Sequence, residues 1–172
     1  MSKRAHDIGI LFEPIAFGSS TLRNRIAMAP MTRKRSPNGV PPIEVADYYE
    51  RRAKGGVGLI FSEGAFIDHP SSQAHEGRAY TDIPHFFGTD ALNGWKHVVE
   101  RAHASGAAFV PQLWHVGEVR RLGMLPDPYV PGLGPRQLNK DGRVIVEAAT
   151  PQDVNAIAAS YARCAQSARD IG

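Results

Sequence analysis

The residues whose types best suit binding or catalysis lie where three apolar runs of the sequence end. Pro30-Met31-Thr32 follows the first run, Glu63-Gly64 ends the second, and Gln112-Leu113-Trp114 ends the third. Together they offer a hydroxyl, a carboxamide, an indole and a glycine backbone that a ligand can approach closely, without a strong base or a nucleophile. Such a set favours the binding of a polar heterocycle over hydrolysis.

Patterns for other chemistries are missing from the sequence. It contains no His-x-x-x-His, Cys-x-x-Cys or Gly-x-Ser-x-Gly, so we expect neither a metal site nor a serine hydrolase. Glu63 is expected to be buried or to cap a turn. Cys164, the single cysteine, lies in a helical pattern that predicts a packed thiol.

Three candidate strands carry the polar residues, at 25–29, 57–62 and 107–112. Near-continuous apolar runs of this kind are typical of parallel strands that are covered on both faces. An earlier hairpin is predicted at 11–24, because Gly18-Ser19-Ser20 joins two short extended pieces.

Helical patterns lie between the strands. The first begins after Pro41-Pro42, the second at Thr89, which is expected to cap it, and the third at residues 150–153, a capping-box start. Each pattern ends at a glycine, which suits the left-handed conformation after a helix. Two of the three glycines lead directly into a strand, so the pattern predicts a fourth strand after Gly172.

The order of strands and helices predicts a parallel sheet with right-handed crossovers. No Gly-x-Gly-x-x-Gly follows the first strand, which weakens the case for an open sheet that binds a dinucleotide. Long segments at 64–88 and 113–149 follow the strands, whereas the turns back into strands are tight. This asymmetry favours a (β/α)8 TIM barrel, with its site at the C-terminal strand ends. We expect one partial domain, residues 1–172, with a flexible segment at 1–10, the hairpin at 11–24 and three β/α units at 25–172.

Composition and charge limit the classes of partner that we expect. The chain has 172 residues and a formal net charge of +3, with basic residues scattered apart from Arg33-Lys34-Arg35, which is expected in a solvated loop or one facing an anionic ligand. We therefore expect no nucleic-acid partner. The longest apolar runs, such as 57–61, are too short to span a bilayer, and the polar N-terminus lacks a secretory core. These features and the single cysteine suggest a cytoplasmic protein.

Residues 25–33, with Asn24 and the upstream run 11–14, resemble the first-strand motif of the Old Yellow Enzyme family of FMN-dependent oxidoreductases. Residues 55–64 are similar to the second strand of that family, and 112–117 to the third. All three motifs occur in order and span about residues 11 to 172. The resemblance implies a TIM barrel that binds FMN and takes electrons from NADH or NADPH.

The resemblance also implies roles by position. Pro30 and Met31 would lie along the isoalloxazine ring, and Thr32 would donate its hydroxyl to the flavin C4 carbonyl. Gly64 would offer a backbone contact near the same edge, Gln112 would bind the pyrimidine edge, and Trp114 would line the substrate pocket. His115, which follows Trp114 in the family motif, would support the site rather than catalyse.

Two departures from the family pattern matter. Glu118 follows Gly117 where the family commonly has arginine, although Arg120 and Arg121 come soon after. The residues that hold the substrate, donate the proton and bind the FMN phosphate lie on later strands of the family, so no catalytic residue can be assigned in this sequence.

The resemblance implies an ene-reductase that uses NADH or NADPH to reduce activated C=C bonds such as enones, of which this chain is the N-terminal half. The alternative is a catalytically inactive truncated fragment, or a half-barrel assembly module that needs a partner. A complete barrel needs about 250 residues. We therefore expect this polypeptide alone to bind FMN weakly or not at all, and to self-associate through open strand edges.

Overall fold

The computed structural model describes residues 8–75 and 82–172. Most of the segment expected to be flexible, residues 1–7, lies outside the described residues. No helix among those described is long and apolar enough to cross a membrane.

The chain opens with a hairpin where the sequence predicts one. Strand β1 (Ile15–Phe17) pairs antiparallel with β2 (Ser20–Leu22), so that Ala16 lies opposite Thr21. Gly18 sits in the turn with φ +60°, a conformation that glycine adopts without steric cost.

Three parallel strands form the main sheet in the order β3 (Ala27–Met28), β4 (Leu59–Phe66) and β5 (Ala108–Trp114). The first is shorter than the predicted 25–29. Residues 25 and 26 lie outside the strand, and there the Ile26 N–H donates a hydrogen bond to the Asn24 side chain at 3.1 Å instead of to a neighbouring strand. The second and third strands extend two to four residues beyond the predicted runs, which brings the site residues inside the sheet.

Three α-helices accompany the sheet: α1 (Ile43–Lys54), α2 (Thr89–Ala104) and α3 (Pro151–Asp170). The capping box of α3 is confirmed, since Asp153 N–H donates to the Thr150 hydroxyl and Thr150 N–H donates to the Asp153 carboxylate. The predicted cap of α2 is wrong. Thr89 is the first helical residue and Gly88 is the N-cap, so α2 begins without a side-chain cap.

The helix-ending glycines behave as predicted. Gly56, Gly106 and Gly172 have φ values of +102°, +81° and +117°. Left-handed residues at these positions stop each helix within one turn, and after α1 and α2 they lead directly into the next strand.

The hydrophobic core lies between the helices and one face of the sheet. Trp95 of α2 and Tyr49 of α1 are fully buried there, and both contact Phe109 of β5 through tilted or edge-on rings. Cys164 of α3 is also buried in this cluster, as its helical pattern predicts. On the other face, Phe61 and Val110 lie opposite each other and are only half-buried.

Residues 113–149 are more ordered than the predicted loop. They contain a small sheet in the order β6 (Gly132–Gly134), β8 (Arg143–Ala148) and β7 (Leu138–Lys140). Arg120 organises this region from a fully buried position, donating to the carbonyls of Val130 at 2.9 Å and of Gln73 at 2.5 Å. Its guanidinium also bonds the carbonyls of Met124, Leu125 and Asp127.

Strand order follows chain order, and the helices cover one face while the other stays half-exposed. This is the arrangement of consecutive β/α units of a barrel, whose inner face becomes buried as further strands close it. Within the described residues, β3 and β5 each have one edge without a neighbouring strand.

Candidate functional site

The C-terminal ends of the three parallel strands bring the predicted site residues together. Gly64 on β4 lies directly opposite Gln112 on β5, and Phe66 lies opposite Trp114. Pro30-Met31-Thr32 begins two residues after the end of β3, the neighbour of β4 on its other side. Residues from three separate chain segments therefore share one edge of the sheet.

A bulge creates the pairing between Gly64 and Gln112. Phe61 pairs with Val110, but the next aligned pair is Gly64 with Gln112, so β4 has one extra residue in this interval. Pro111 has no N–H to donate to the ladder, which favours a break there. The Ser62 hydroxyl bridges the bulge: it accepts from Gln112 N–H at 2.9 Å and donates to the Glu63 carbonyl at 2.6 Å.

A buried ion pair fixes the segment that carries Thr32. The Arg33 guanidinium pairs with the fully buried Glu63 carboxylate, and the Arg33 backbone N–H donates to the same carboxylate at 3.0 Å. The Arg33 guanidinium lies 3.8 Å from the Tyr48 ring centre, and Glu63 N–H donates to the Tyr49 hydroxyl at 2.8 Å. The expectation of a solvated basic loop is therefore wrong for Arg33, while that of a buried Glu63 is confirmed.

Burial and the nearby Glu63 charge raise the pKa of Tyr49 to about 12, with burial the larger cause. Tyr49 therefore stays protonated over the neutral range. Its hydroxyl keeps a proton while its oxygen accepts from Glu63 N–H.

Thr32 and Gln112 remain open to a ligand. Both are exposed, as is Met31, whereas Pro30 is half-buried. Among the described residues, neither the Thr32 hydroxyl nor the Gln112 carboxamide is hydrogen-bonded to another side chain or to backbone. A hydroxyl and a carboxamide at one sheet edge fit the carbonyl and N–H groups of a flavin pyrimidine ring.

Gly64 leaves room for the Trp114 indole. A Cβ added to Gly64 would approach Trp114 Cε3 to 2.7 Å, closer than real contacts allow. The indole stacks on the Phe66 ring with centroids 5.4 Å apart. The absence of a side chain at the buried Gly64 thus allows the indole of Trp114 to pack directly against the backbone of β4.

A hydrogen-bonded chain ties the loop after β4 to the loop after β5. His115 Nδ1 accepts from Gly117 N–H at 3.0 Å, which assigns the ring proton to Nε2. Nε2 then donates to the Ser71 hydroxyl at 2.9 Å, and this hydroxyl donates to His69 Nδ1 at 2.9 Å. His115 thus connects the two loops, and its role in supporting the site stays a prediction.

Burial keeps His69 and His115, the two histidines joined by Ser71, neutral. It lowers the pKa of His115 to about 4, with the neighbouring His69 a smaller cause, and it also lowers the pKa of His69. The hydrogen bonds from His115 through Ser71 to His69 therefore connect two loops, and neither histidine is a base that titrates near neutral pH.

The described residues include no group of three or more His, Cys, Asp or Glu side chains placed to hold a metal ion. Four features of the site were not predicted from sequence: the Ser62 bridge, the Arg33–Glu63 pair, the Ser71 link and the buried Arg120. Arg33 and Glu63 each adjoin a predicted site residue, which is the one signal the sequence carried for their pairing.

The sequence of this chain matches the profile of the NADH:flavin oxidoreductase / NADH oxidase family over residues 10–172. The chain belongs to this family.

Individual relatives agree with this assignment. The 12-oxophytodienoate reductase 7 of Oryza sativa subsp. japonica is 35% identical over 121 residues, which are 70% of this chain and 29% of the rice protein. A probable inactive reductase, easA of Epichloe festucae var. lolii, is 34% identical over 116 residues, or 67% of this chain and 29% of the fungal protein.

Among solved structures, morphinone reductase in complex with tetrahydroNAD superposes with a TM-score of 0.81 and 33% identity, over 94% of this chain and 47% of that chain. The chain thus spans just under half of this structural relative. The prediction of a partial (β/α)8 barrel is confirmed.

Proposed function

We propose that this chain supplies the flavin-binding edge of an FMN-dependent ene-reductase, which uses NADH or NADPH to reduce activated C=C bonds such as those of enones. The supporting observation is the meeting of Thr32, Gly64 and Gln112 at the C-terminal ends of adjacent parallel strands. The chain spans just under half of its structural relative, so the complete activity belongs to a protein that includes the remaining strands.

Each strand end has a separate task in this proposal. The Thr32 hydroxyl donates to the flavin C4 carbonyl, and the Gln112 carboxamide binds the pyrimidine edge. A hydrogen bond to a carbonyl strengthens as negative charge builds on it, so Thr32 favours the reduced ring. Pro30 and Met31 lie along the ring, and Gly64 presents backbone to it.

The Arg33–Glu63 pair and the Ser62 bridge act as positioning groups. They hold the Thr32 segment and the Gln112 backbone against β4 before any ligand binds. Preorganised groups lose little conformational entropy on binding. This half of the barrel would therefore contribute flavin-binding groups that are already in position.

Bound FMN would carry a hydride from the nicotinamide to the alkene. The morphinone reductase structure holds a nicotinamide analogue, tetrahydroNAD. In this chain, Trp114 would line the pocket in which the alkene lies. Its indole stacks on Phe66 and packs against Gly64, where a side chain would displace it. We also propose a cytoplasmic location, supported by a single buried cysteine that has no partner for an internal disulfide.

The second candidate is a catalytically inactive fragment or a half-barrel module that needs a partner. It is favoured by the unpaired outer edges of β3 and β5 among the described residues, and by the half-exposed inner face. The fungal relative named a probable inactive reductase is consistent with loss of activity within this family.

Titration of the purified chain with FMN, followed by flavin fluorescence and near-UV circular dichroism, tests the proposal. We expect weak saturable binding, with affinity falling about fivefold in Thr32→Ala and again in Gln112→Ala, the loss of about 1 kcal/mol for each hydrogen bond. Thr21→Ala on the hairpin and Gln152→Ala on α3 are exposed matched controls and should bind as the parent does. Equal affinity in all four variants would reject the assigned flavin edge.

Saturable FMN binding separates the two candidates further. A chain that binds FMN and oxidises NADH or NADPH in its presence supports the reductase function. Binding without NAD(P)H oxidation supports an inactive fragment or a module that requires the missing half.

A further inference from the structure

Arg120 is a buried cation whose hydrogen-bond acceptors are all backbone carbonyls. Its side chain is fully removed from solvent. Nε donates to one carbonyl, and Nη1 and Nη2 donate to two each, so that five carbonyls face the five N–H groups of the guanidinium. A buried guanidinium is costly unless its donors are satisfied, so the positions of these carbonyls and of Arg120 depend on one another.

The five carbonyls come from two loops that follow adjacent strands. Gln73 lies in the loop after β4, and the other four acceptors lie at 124–130, in the loop after β5. A backbone hydrogen bond joins the same two loops, from His75 N–H to the Leu125 carbonyl at 3.0 Å. Leu125 is also one of the acceptors of Arg120. The guanidinium therefore lies at the contact between the two loops.

Both loops contribute to the apolar cluster on which the Trp114 indole rests. Ala74, the residue after Gln73, is buried in this cluster together with Phe66. Met124, whose carbonyl accepts from the guanidinium, packs against the cluster from the other loop, and Trp114 packs against it as well. The indole thus has neighbours whose backbone is held by Arg120.

We propose that Arg120 is the positioning residue for Trp114: it joins the loops after β4 and β5 into one unit, and this unit holds the indole at the strand-end edge. Lysine cannot replace it, because an ammonium offers three donors from a single point instead of five on a planar fork. The use of Trp114 as a pocket wall rests on the proposed function. Its positioning by Arg120 does not.

The test is ¹⁹F NMR of the 172-residue chain labelled with 5-fluorotryptophan, without FMN. The chain has two tryptophans, so two resonances are expected, and Trp114→Phe assigns them. Arg120→Lys should shift or broaden the resonance of Trp114. It should leave that of Trp95, which lies in the core between the helices and the sheet, unchanged.

Arg23→Lys is the matched control. The Arg23 guanidinium also donates to three backbone carbonyls, those of Ala53, Val57 and Ser105, but at the opposite end of the strands. This variant removes the same kind of hydrogen bond away from Trp114. It should leave the Trp114 resonance in place.

Hydrogen exchange measures the union of the two loops directly. In the parent chain, the amides of His75 and Val116, which donate to the carbonyls of Leu125 and Ser72, should exchange about as slowly as those of β5. In Arg120→Lys they should exchange at least about tenfold faster, as expected for the loss of a charge-assisted hydrogen bond.

Three results would overturn the proposal: an unchanged Trp114 resonance in Arg120→Lys, an equal change at Trp95, or an equal change in Arg23→Lys. If far-UV circular dichroism shows that Arg120→Lys is unfolded, exchange in the parent chain decides. Rapid exchange at His75 and Val116 would then mean that the loops do not form one unit, which also overturns the proposal.

The outcome can be separated from that of the flavin proposal, because FMN binding is read at Thr32 and Gln112 and the fluorine spectra contain no FMN. A Trp114 resonance that responds to Arg120→Lys in a chain without a flavin edge would overturn the proposed function alone. FMN binding with an unresponsive Trp114 resonance would overturn only the role of Arg120.

Discussion

The Arg33–Glu63 pair shows how single residues prepare the strand-end edge. Both side chains are largely removed from solvent, and their pairing connects the residue after Thr32 to the residue before Gly64. Because a buried charge is costly without its partner, the pair should act as a unit.

Removal of one member of this pair should be more harmful than replacement of both. Arg33→Met or Glu63→Leu alone should lower the free energy of unfolding by about 3–5 kcal/mol, since each leaves a buried charge unpaired. The double variant should lose less than either single variant, as measured by urea denaturation. Losses that add in the double variant would mean that the two charges are not coupled.

The buried histidines predict a pH dependence of stability. Burial lowers the pKa of His85 and of His115 to about 4, below the usual 6.5. Between these values the unfolded chain binds protons that the folded chain does not, so stability is complete above pH 6.5 and declines as the pH falls toward 4.

Urea midpoints measured from pH 7.5 to 4.5 test this dependence. His115→Gln and His85→Gln should each flatten the decline, while His97→Gln, at an exposed position on α2, should leave it unchanged. An identical decline in all three variants would assign the pH dependence to other groups.

The placement of the candidate site at the C-terminal strand ends could be predicted from sequence because its residues follow recognisable strands. The positions of Thr32, Gly64 and Gln112 relative to one another follow from the parallel order. The ion pair and the Ser62 bridge could not be predicted, because they depend on a one-residue bulge that apolar patterning does not report.

At the level of elements, a glycine in α2 allows close approach of the segment that leads into α1. Gly94 of α2 lies against the backbone carbonyl of Pro41, two residues before the first residue of α1, and an added Cβ would overlap this carbonyl. The position of the chain at the start of α1 therefore depends on this approach.

Gly94→Ala should therefore destabilise the chain, although alanine is the better helix former by about 1 kcal/mol. We expect a net loss of about 1–3 kcal/mol from the steric overlap. The neighbouring exposed substitution Asn93→Ala should instead gain about half a kcal/mol. Thermal and urea denaturation of both variants measure this contrast, and stabilisation by Gly94→Ala would show that the helices can separate without loss.

The three helices and the hairpin could be predicted because their periodicity and turn residues are strong. The small sheet of β6, β7 and β8 could not, since its strands are three to six residues long and rich in glycine and charge. The contacts of the buried Arg120 with backbone carbonyls of Gln73 and of residues 124–130, next to this sheet, likewise leave no sequence pattern. The cap of α2 was mispredicted because Gly88 occupies the position where Thr89 was expected to act.

For the whole molecule, the main feature is an arc of three parallel strands with one face half-exposed. Exposed apolar side chains accumulate near the N-terminus, including Ile8, Phe12 and Phe17. Unpaired strand edges and apolar patches promote association.

We therefore expect the isolated chain to self-associate. Light scattering after size exclusion should give a mass above the 18.7 kDa of one chain, rising with protein concentration. A constant monomeric mass together with a cooperative thermal transition would contradict this expectation.

The central claim is that the ends of β3, β4 and β5 form one side of a flavin site, and its most direct test is a titration of the ¹⁵N-labelled chain with FMN. The account predicts saturable amide shifts centred on Thr32, Gly64 and Gln112, lost in the Thr32→Ala/Gln112→Ala double variant. Saturable shifts centred elsewhere, or the same shifts in the double variant, would contradict it.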